Sequence, residues 1–219
     1  MCSRRLSPPA PRAAVALAET ARLLNGDGRD SRFRQLRVQR CELSRAERLP
    51  LAEQWGQLSV EEHNFLLERD EAAKYGIGRV PAIAVLGAQD HGIRFFGMPS
   101  GYESMSLLDA ILLVSKGDSG LLEGSRAMLA SLESSLTLQL FVTPTWPHCP
   151  RAVSLANRMA LESTKVTSIV VGANEFPDLV RKYQVSGVPK TMVNAKVEIL
   201  GARPEEDFVR TALGASAAP

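Results

Sequence analysis

The stretch KYGIGRVPAI, residues 74–83, recurs 108 residues further along the chain as KYQVSGVPKT, residues 182–191. Both copies contain Lys-Tyr, a β-branched residue at the fourth position, and Val-Pro at the seventh and eighth. Each Val-Pro is followed by the alternation of a two-strand hairpin and then by a helical pattern. An internal repeat of this kind predicts that one α/β unit occurs twice in tandem.

The second copy shows the order of its elements most clearly. The pattern predicts a strand, a helix, a strand, a helix, a hairpin and a final helix, which is a β-α-β-α-β-β-α unit. These elements fall at residues 137–142, from 149, at 167–171, at 175–184, at 190–201 and at 202–214. We therefore predict an α/β protein of two tandem units, residues 1–116 and residues 117–219.

The first unit departs from this order at its beginning. Alignment of residues 10–13 with residues 149–152 leaves only six residues before Ser7, too few for a clear initial strand. Three explanations stay open: the natural start lies upstream, residues 2–6 form a minimal strand, or the insertion or a partner chain covers the gap. The insertion lies near residues 44–69, where apolar residues at mixed helical spacing predict helix.

The segment FVTPTWPHCP, residues 141–150, joins the first strand of the second unit to its first helix. Cys149-Pro150 suits a helix start, because proline is well tolerated in the first helical turn. Trp146 lies three residues before Cys149, in the segment that leads into the helix. This segment is the candidate functional site of the second unit.

In its motifs, their order and their spacing, the chain resembles the glutaredoxin-like protein disulfide oxidoreductases, which consist of two fused thioredoxin folds. The segments that carry the resemblance are GIRFFGMPSGYE at 92–103, SKGDSGL at 115–121, FVTPTWPHCP at 141–150 and YQVSGVPK at 183–190. The resemblance implies two tandem thioredoxin-like (glutaredoxin-like) units, with Cys-x-x-Cys at a helix start. The corresponding residues here are Trp146, Pro147, His148 and Cys149 in the second unit and Ser7, Pro8, Pro9 and Ala10 in the first. Both motifs are therefore degenerate.

By this resemblance, Cys149 occupies the second position of the motif, which resolves a mixed disulfide. The first position lies exposed at the helix start, where the helix dipole favours a thiolate, and the second lies further inside. We therefore expect Cys149 to be partly buried, with a raised pKa. Packing as a small apolar residue is the alternative to a catalytic role for Cys149.

Trp146 cannot replace the attacking thiol, because its indole is no nucleophile, but it can contribute to binding. The resemblance implies that Val188-Pro189 forms a cis-proline ledge that pairs with an extended peptide, and Val80-Pro81 is its counterpart in the first unit. Trp146 would anchor that peptide or, alternatively, plug the vacated groove. His148 is expected to be exposed to solvent. Trp55 in the insertion either repairs the core or forms a docking surface.

Two hypotheses about function follow. The leading one is a non-catalytic thioredoxin-fold binding protein, an assembly factor or a subunit of a hetero-oligomeric complex, whose partner is a protein or an extended peptide. The alternative is a single-thiol disulfide oxidoreductase or redox sensor that uses Cys149. The fold alone does not decide between them. No cofactor is predicted, and no Cys/His spacing matches a zinc site.

Composition and charge limit the classes of partner and the cellular compartment that we expect. The formal net charge is +2, although the first 48 residues hold eleven arginines and five acidic residues. Solvated faces explain these arginines better than nucleic-acid binding, because only one aromatic residue, Phe33, is interleaved with them. No apolar run reaches the roughly 18 residues of a membrane span. Cys2, Cys41 (at the end of a candidate strand, residues 35–41) and Cys149 do not match a secreted disulfide framework, which favours a reducing cytoplasm.

Overall fold

The computed structural model describes residues 32–38 and 58–216. The strands in these ranges are β1 (Arg32–Val38), β2 (Leu58–Asn64), β3 (Ala82–Leu86), β4 (Asp90–Phe96), β5 (Leu136–Val142), β6 (Val166–Gly172), β7 (Lys190–Val193) and β8 (Val197–Leu200). The helices are α1 (Arg69–Lys74), α2 (Tyr102–Lys116), α3 (Glu123–Ala130), α4 (Cys149–Glu162), α5 (Pro177–Lys182) and α6 (Glu205–Ser216).

The strands form one continuous mixed sheet in the order β2-β1-β3-β4-β6-β5-β7-β8. The last four strands have the arrangement predicted from the second copy of the repeat, with β5 parallel to β6 and antiparallel to β7. The first four strands occupy the same places in the same order, and the parallel pair β4–β6 joins the two halves. The structure confirms the α/β fold with two tandem units.

One strand of the first unit runs in the direction opposite to that of its counterpart. β2 lies 108 residues before β6, and each is followed by a short helix, so β2 and β6 correspond. β1 lies between β2 and β3, as β5 lies between β6 and β7. However, β1 is antiparallel to β2 and parallel to β3, which is the reverse of the β5 pairings. The first unit therefore fills its central place with a reversed strand.

β2 differs from the helix predicted for this part of the insertion. Its residues pair one by one with β1, from Leu58 opposite Val38 to Asn64 opposite Arg32. Apolar residues are sparse in this stretch, so their spacing does not distinguish helix from strand, and pairing with a distant segment decides. β1 overlaps the candidate strand at residues 35–41. Residues 2–6 and the insertion before residue 58, including Trp55, lie outside the described residues.

Two layers of helices cover the sheet. Helices α2, α3, α4 and α6 pack on one face, and α1 and α5 pack on the other. β3 is buried at every position, as expected for a strand covered on both faces. At the end of β5, Phe141 joins the layer of α1 and α5, whereas the next residue, Val142, joins the opposite layer. The chain thus leaves β5 from the interior of the sheet and enters the candidate site.

Arg158 on α4 fastens the linker between the units to the second unit. Its Nε donates to the Ser119 carbonyl at 2.6 Å, and its guanidinium also donates to the Gly120 carbonyl. The same guanidinium pairs with Glu205 at 3.1 Å, and Glu205 accepts a hydrogen bond from the Leu122 amide at 2.6 Å. One side chain thereby holds linker, α4 and α6 together.

We expect Arg158→Ala to lower the free energy of unfolding by about 1–3 kcal/mol, because charge-assisted hydrogen bonds and their carbonyl partners are lost together. Urea unfolding followed by circular dichroism measures this loss. Arg210→Ala is the matched control, since the Arg210 side chain is 69% exposed and its ion pair with Asp207 is long, at 3.9 Å. Equal stability of the two variants would contradict a structural role for Arg158.

Candidate functional site

The loop at residues 143–148 carries the predicted site residues from β5 to α4. α4 begins at Cys149 with Pro150 in its first turn, as the sequence predicts. Trp146, Pro147 and His148 are exposed, and the rings of Trp146 and His148 meet edge to face with centroids 5.6 Å apart. Trp146 is 47% exposed, so its ring does not plug a closed groove.

Cys149 points into the protein rather than toward the loop surface. Its side chain is free, only 2% exposed, and part of the core beneath α4. Burial raises the pKa of the Cys149 thiol, the charge of Glu103 raises it further, and a hydrogen bond with the Thr143 backbone opposes both effects. The burial and raised pKa expected for the second position of the motif are therefore present.

Glu103 reaches this site from the first unit. It lies in the first turn of α2, where the Tyr102 amide donates to the Pro144 carbonyl at 2.9 Å. Gly101 has a φ of +51°, and a Cβ there would collide with the same Pro144 carbonyl. Glycine at position 101 therefore permits the close approach that brings Glu103 near enough for its charge to act on Cys149.

The Glu103 carboxyl is held in a poorly solvated position. It is only 5% exposed, and its Oε1 has no hydrogen-bond partner within the described ranges. Burial raises the Glu103 pKa to about 7, against a weak opposing bond from the Ser100 amide, and the Glu175 charge raises it further. Both carboxylate oxygens of Glu175 accept a hydrogen bond from the Met98 amide, each at 2.9 Å. The buried pocket therefore disfavours charge on both Glu103 and Cys149.

The Val188–Pro189 peptide bond is cis and lies at the start of β7. Lys190 pairs with Phe141 of β5, so Val188 lies beyond the end of that ladder, on the side of Thr143. The Pro189 carbonyl accepts the Gly201 amide at 2.8 Å, whereas the Val188 backbone makes no hydrogen bond within the part of the chain that the structure describes. Val188 thus presents an unpaired backbone edge next to the loop of Trp146.

The remaining predicted site residues do not gather at this loop. Val80–Pro81 is also a cis peptide and precedes β3 in the first unit. Its neighbour Arg79 pairs with Asp178 at 2.8 Å and lies 5.5 Å from the centre of the Phe176 ring, so this segment borders α5. Ser7, Pro8, Pro9, Ala10 and Trp55 lie outside the described residues.

Sequence reasoning missed Glu103 and its exposed neighbours Tyr102 and Met105. All three lie in or next to GIRFFGMPSGYE, which supported the resemblance but named no site residue. An acidic residue in a first helical turn ordinarily complements the helix dipole, so Glu103 carries no signal of burial. Only the packing of the two units brings it near enough to act on Cys149.

Neither a metal site nor a membrane span is found in the described residues. Within residues 32–38 and 58–216, no group of three His, Cys, Asp or Glu side chains could hold a metal ion. In the same ranges, no helix is both long and apolar enough to cross a membrane.

Comparison with known proteins supports the thioredoxin-like fold and identifies relatives of this chain. The family model of the thioredoxin domain matches residues 136–214. The thioredoxin of Methanocaldococcus jannaschii is 30% identical over 77 residues, which cover 35% of this chain and 91% of that protein. The crystal structure of a protein disulfide oxidoreductase from Aeropyrum pernix has a TM-score of 0.68 and 25% identity, covering 96% of this chain and 95% of the other.

A further relative is much longer than this chain. An alkyl hydroperoxide reductase subunit of Pseudomonas aeruginosa is 29% identical over 112 residues, which are 49% of this chain. The chain spans only 21% of the length of that relative. The similarity therefore concerns a part of that protein.

Because the pKa of Glu103 rises on folding, the folded state favours the protonated carboxyl. This contribution to stability is fully present below the unfolded pKa of 4.5 and is lost as the pH rises toward about 7. We expect the loss to reach about 2–3 kcal/mol at pH 8. Urea unfolding at pH 5 and pH 8 measures it.

Glu103→Gln removes this titration and should flatten the pH dependence while stabilising the protein at pH 8. Glu123→Gln is the control, because Glu123 occupies the first turn of α3 but is exposed. A pH dependence that is the same in Glu103→Gln and in the wild type would contradict the assignment.

Proposed function

Because the chain belongs to the thioredoxin family, we propose that it is a binding protein that recognises an extended segment of a partner protein without dithiol exchange. The observation that supports this most strongly is the environment of Trp146 and Cys149 at the start of α4. Trp146 is exposed where the resemblance places the attacking thiol, and the thiol that is present, Cys149, is buried.

Disulfide exchange requires a thiolate that can reach a disulfide sulfur of the client. The indole of Trp146 cannot attack sulfur, and the sequence contains no Cys-x-x-Cys. Burial and the neighbouring Glu103 both disfavour a thiolate at Cys149. The reaction therefore lacks its first step, while parts of the surface that could bind a peptide are present.

Those parts are the unpaired backbone of Val188 and the exposed ring of Trp146. An extended peptide that adds to Val188 would gain backbone hydrogen bonds without regard to sequence. An apolar side chain of that peptide against Trp146 would add affinity and selectivity, because aromatic residues are frequent anchors at interfaces. The two features together suit a short, strand-like segment of another protein.

A partner bound in this way needs affinity but no turnover. Such binding suits an assembly factor or a subunit of a hetero-oligomeric complex. A reducing compartment such as the cytoplasm would keep Cys149 as a thiol.

The alternative is a single-thiol oxidoreductase or redox sensor based on Cys149. The observation that bears on it is that Glu103 acts electrostatically on Cys149 and has a pKa of about 7, so its ionised form could accept the thiol proton, although its charge opposes the thiolate that results. The alternative requires Cys149 to become accessible to a disulfide or to glutathione. Its 2% exposure argues against this.

We expect wild-type protein to add nothing to the background reduction of insulin by dithiothreitol. Trp146→Cys should produce turnover, because it supplies a thiol at the exposed position while Cys149 remains to resolve the mixed disulfide. The double variant Trp146→Cys/Cys149→Ser should lose most of that turnover. Turnover by the wild type that disappears in Cys149→Ser would refute a binding function without exchange.

Alkylation by iodoacetamide tests the alternative directly. In a Cys2→Ser/Cys41→Ser background, we expect native Cys149 to react at least about tenfold more slowly than the same protein unfolded in urea, because a buried thiol is rarely ionised. The native rate should rise only above roughly pH 8.5, the ordinary cysteine pKa. Rapid modification of the native protein at pH 7 would favour the single-thiol function instead.

A further inference from the structure

The loop of Trp146 is bordered by apolar side chains from the other unit. Tyr102 and Met105 lie on α2, three residues apart and therefore on neighbouring positions of one helix face. They are 44% and 53% exposed, close to the 47% of Trp146. The hydrogen bond from Tyr102 to Pro144 fixes this face two residues before Trp146. Three large exposed side chains therefore lie within a few residues of the Tyr102–Pro144 contact between the two units.

A positively charged cleft lies close to these residues in sequence and is lined by α4, the start of α6 and one residue of α2. Its charged lining residues are Asp109 of α2, Arg151 and Arg158 of α4, and Arg203 and Glu205 at the start of α6. Arg158 and Glu205 pair with each other at 3.1 Å. Arg151 and Arg203 are both exposed, and Arg203 Nε donates to the Leu200 carbonyl at 3.1 Å. The lining therefore holds three arginines and two carboxylates, so its net charge is positive.

Residues of the cleft follow the apolar residues closely along both helices. Asp109 lies four residues after Met105 on α2, so the two share a face. Arg151 lies in the first turn of α4, directly after the loop that carries Trp146 and His148. That first turn contains no acidic residue, so the positive end of the helix dipole adds to the charge of Arg151.

We infer that the partner segment is an extended peptide with apolar side chains followed by at least one acidic residue, and that both units bind it. The inference rests on the proposed function and names its partner. Tyr102, Met105 and Trp146 would hold the apolar side chains, and Arg151 with Arg203 would hold the carboxylate. Neither unit alone presents this combination, because α2 belongs to the first unit and α4 to the second.

A displayed library of random nonapeptides, selected on the full-length wild-type protein, tests the inference. We expect selection of peptides with an aromatic or aliphatic residue near an Asp or Glu. The consensus peptide is then synthesised and titrated against the variants by calorimetry. Selected peptides without acidic residues would overturn the assignment of the cleft.

The variants separate this inference from the proposed function. Trp146→Ala should weaken binding of the consensus peptide by about tenfold or more. Met105→Ser should weaken it about fivefold to tenfold, whereas Leu200→Ser, a residue 48% exposed on β8, should not change it. Arg151→Glu should weaken binding and reduce its dependence on salt, whereas Arg210→Glu on α6 should do neither.

Three outcomes of these experiments would contradict the inference, each in a different way. Loss of binding in Trp146→Ala with none in Met105→Ser and Arg151→Glu would retain the proposed function and overturn the two-unit surface. Failure of the library to yield any peptide that depends on Trp146 would overturn both. Concentration-dependent dimerisation that Met105→Ser abolishes, measured by sedimentation velocity, would show that a second copy of the chain covers this face and would overturn the peptide assignment.

Discussion

The close approach between α2 and the loop before α4 determines most of what is found at the candidate site. Gly101 allows the chain to pass against the Pro144 carbonyl, and the Tyr102 amide satisfies that carbonyl at 2.9 Å. This contact fixes the first turn of α2, and with it the position of Glu103, Tyr102 and Met105. Because these residues belong to the first unit and the loop to the second, the site exists only when both units are folded against each other.

Much of the fold follows from the internal repeat, because its period and its hydrophobic alternation are local properties of the chain. The direction of β1 does not. In an isolated stretch such as Leu58–Asn64, apolar residues are too few to fix a period, and the partner strand lies about twenty residues away in sequence, so only pairing decides between helix and strand.

The candidate site was predictable where position in a motif determines the environment. The burial of Cys149 and the exposure of His148 follow from their places at a helix start, and both are found. Glu103 was not predictable, because an acidic residue in a first turn is ordinarily solvated and stabilises the helix there. Its burial is a consequence of the fit between two units, which no local pattern records. The exposed Tyr102 and Met105 were missed for the same reason.

The buried part of this site and its exposed surface differ in charge. Inside, burial raises the pKa of Cys149, so its neutral thiol is favoured near pH 7, whereas Glu103, with a pKa of about 7, is only partly ionised there. Outside, Trp146 offers an apolar face, and Arg151 is exposed and has no ion-pair partner among the described residues. A thiolate for exchange would need the inside to be polar, whereas recognition of a peptide needs only the outside to be ordered. The Tyr102–Pro144 contact between the units holds the proposed recognition surface in place.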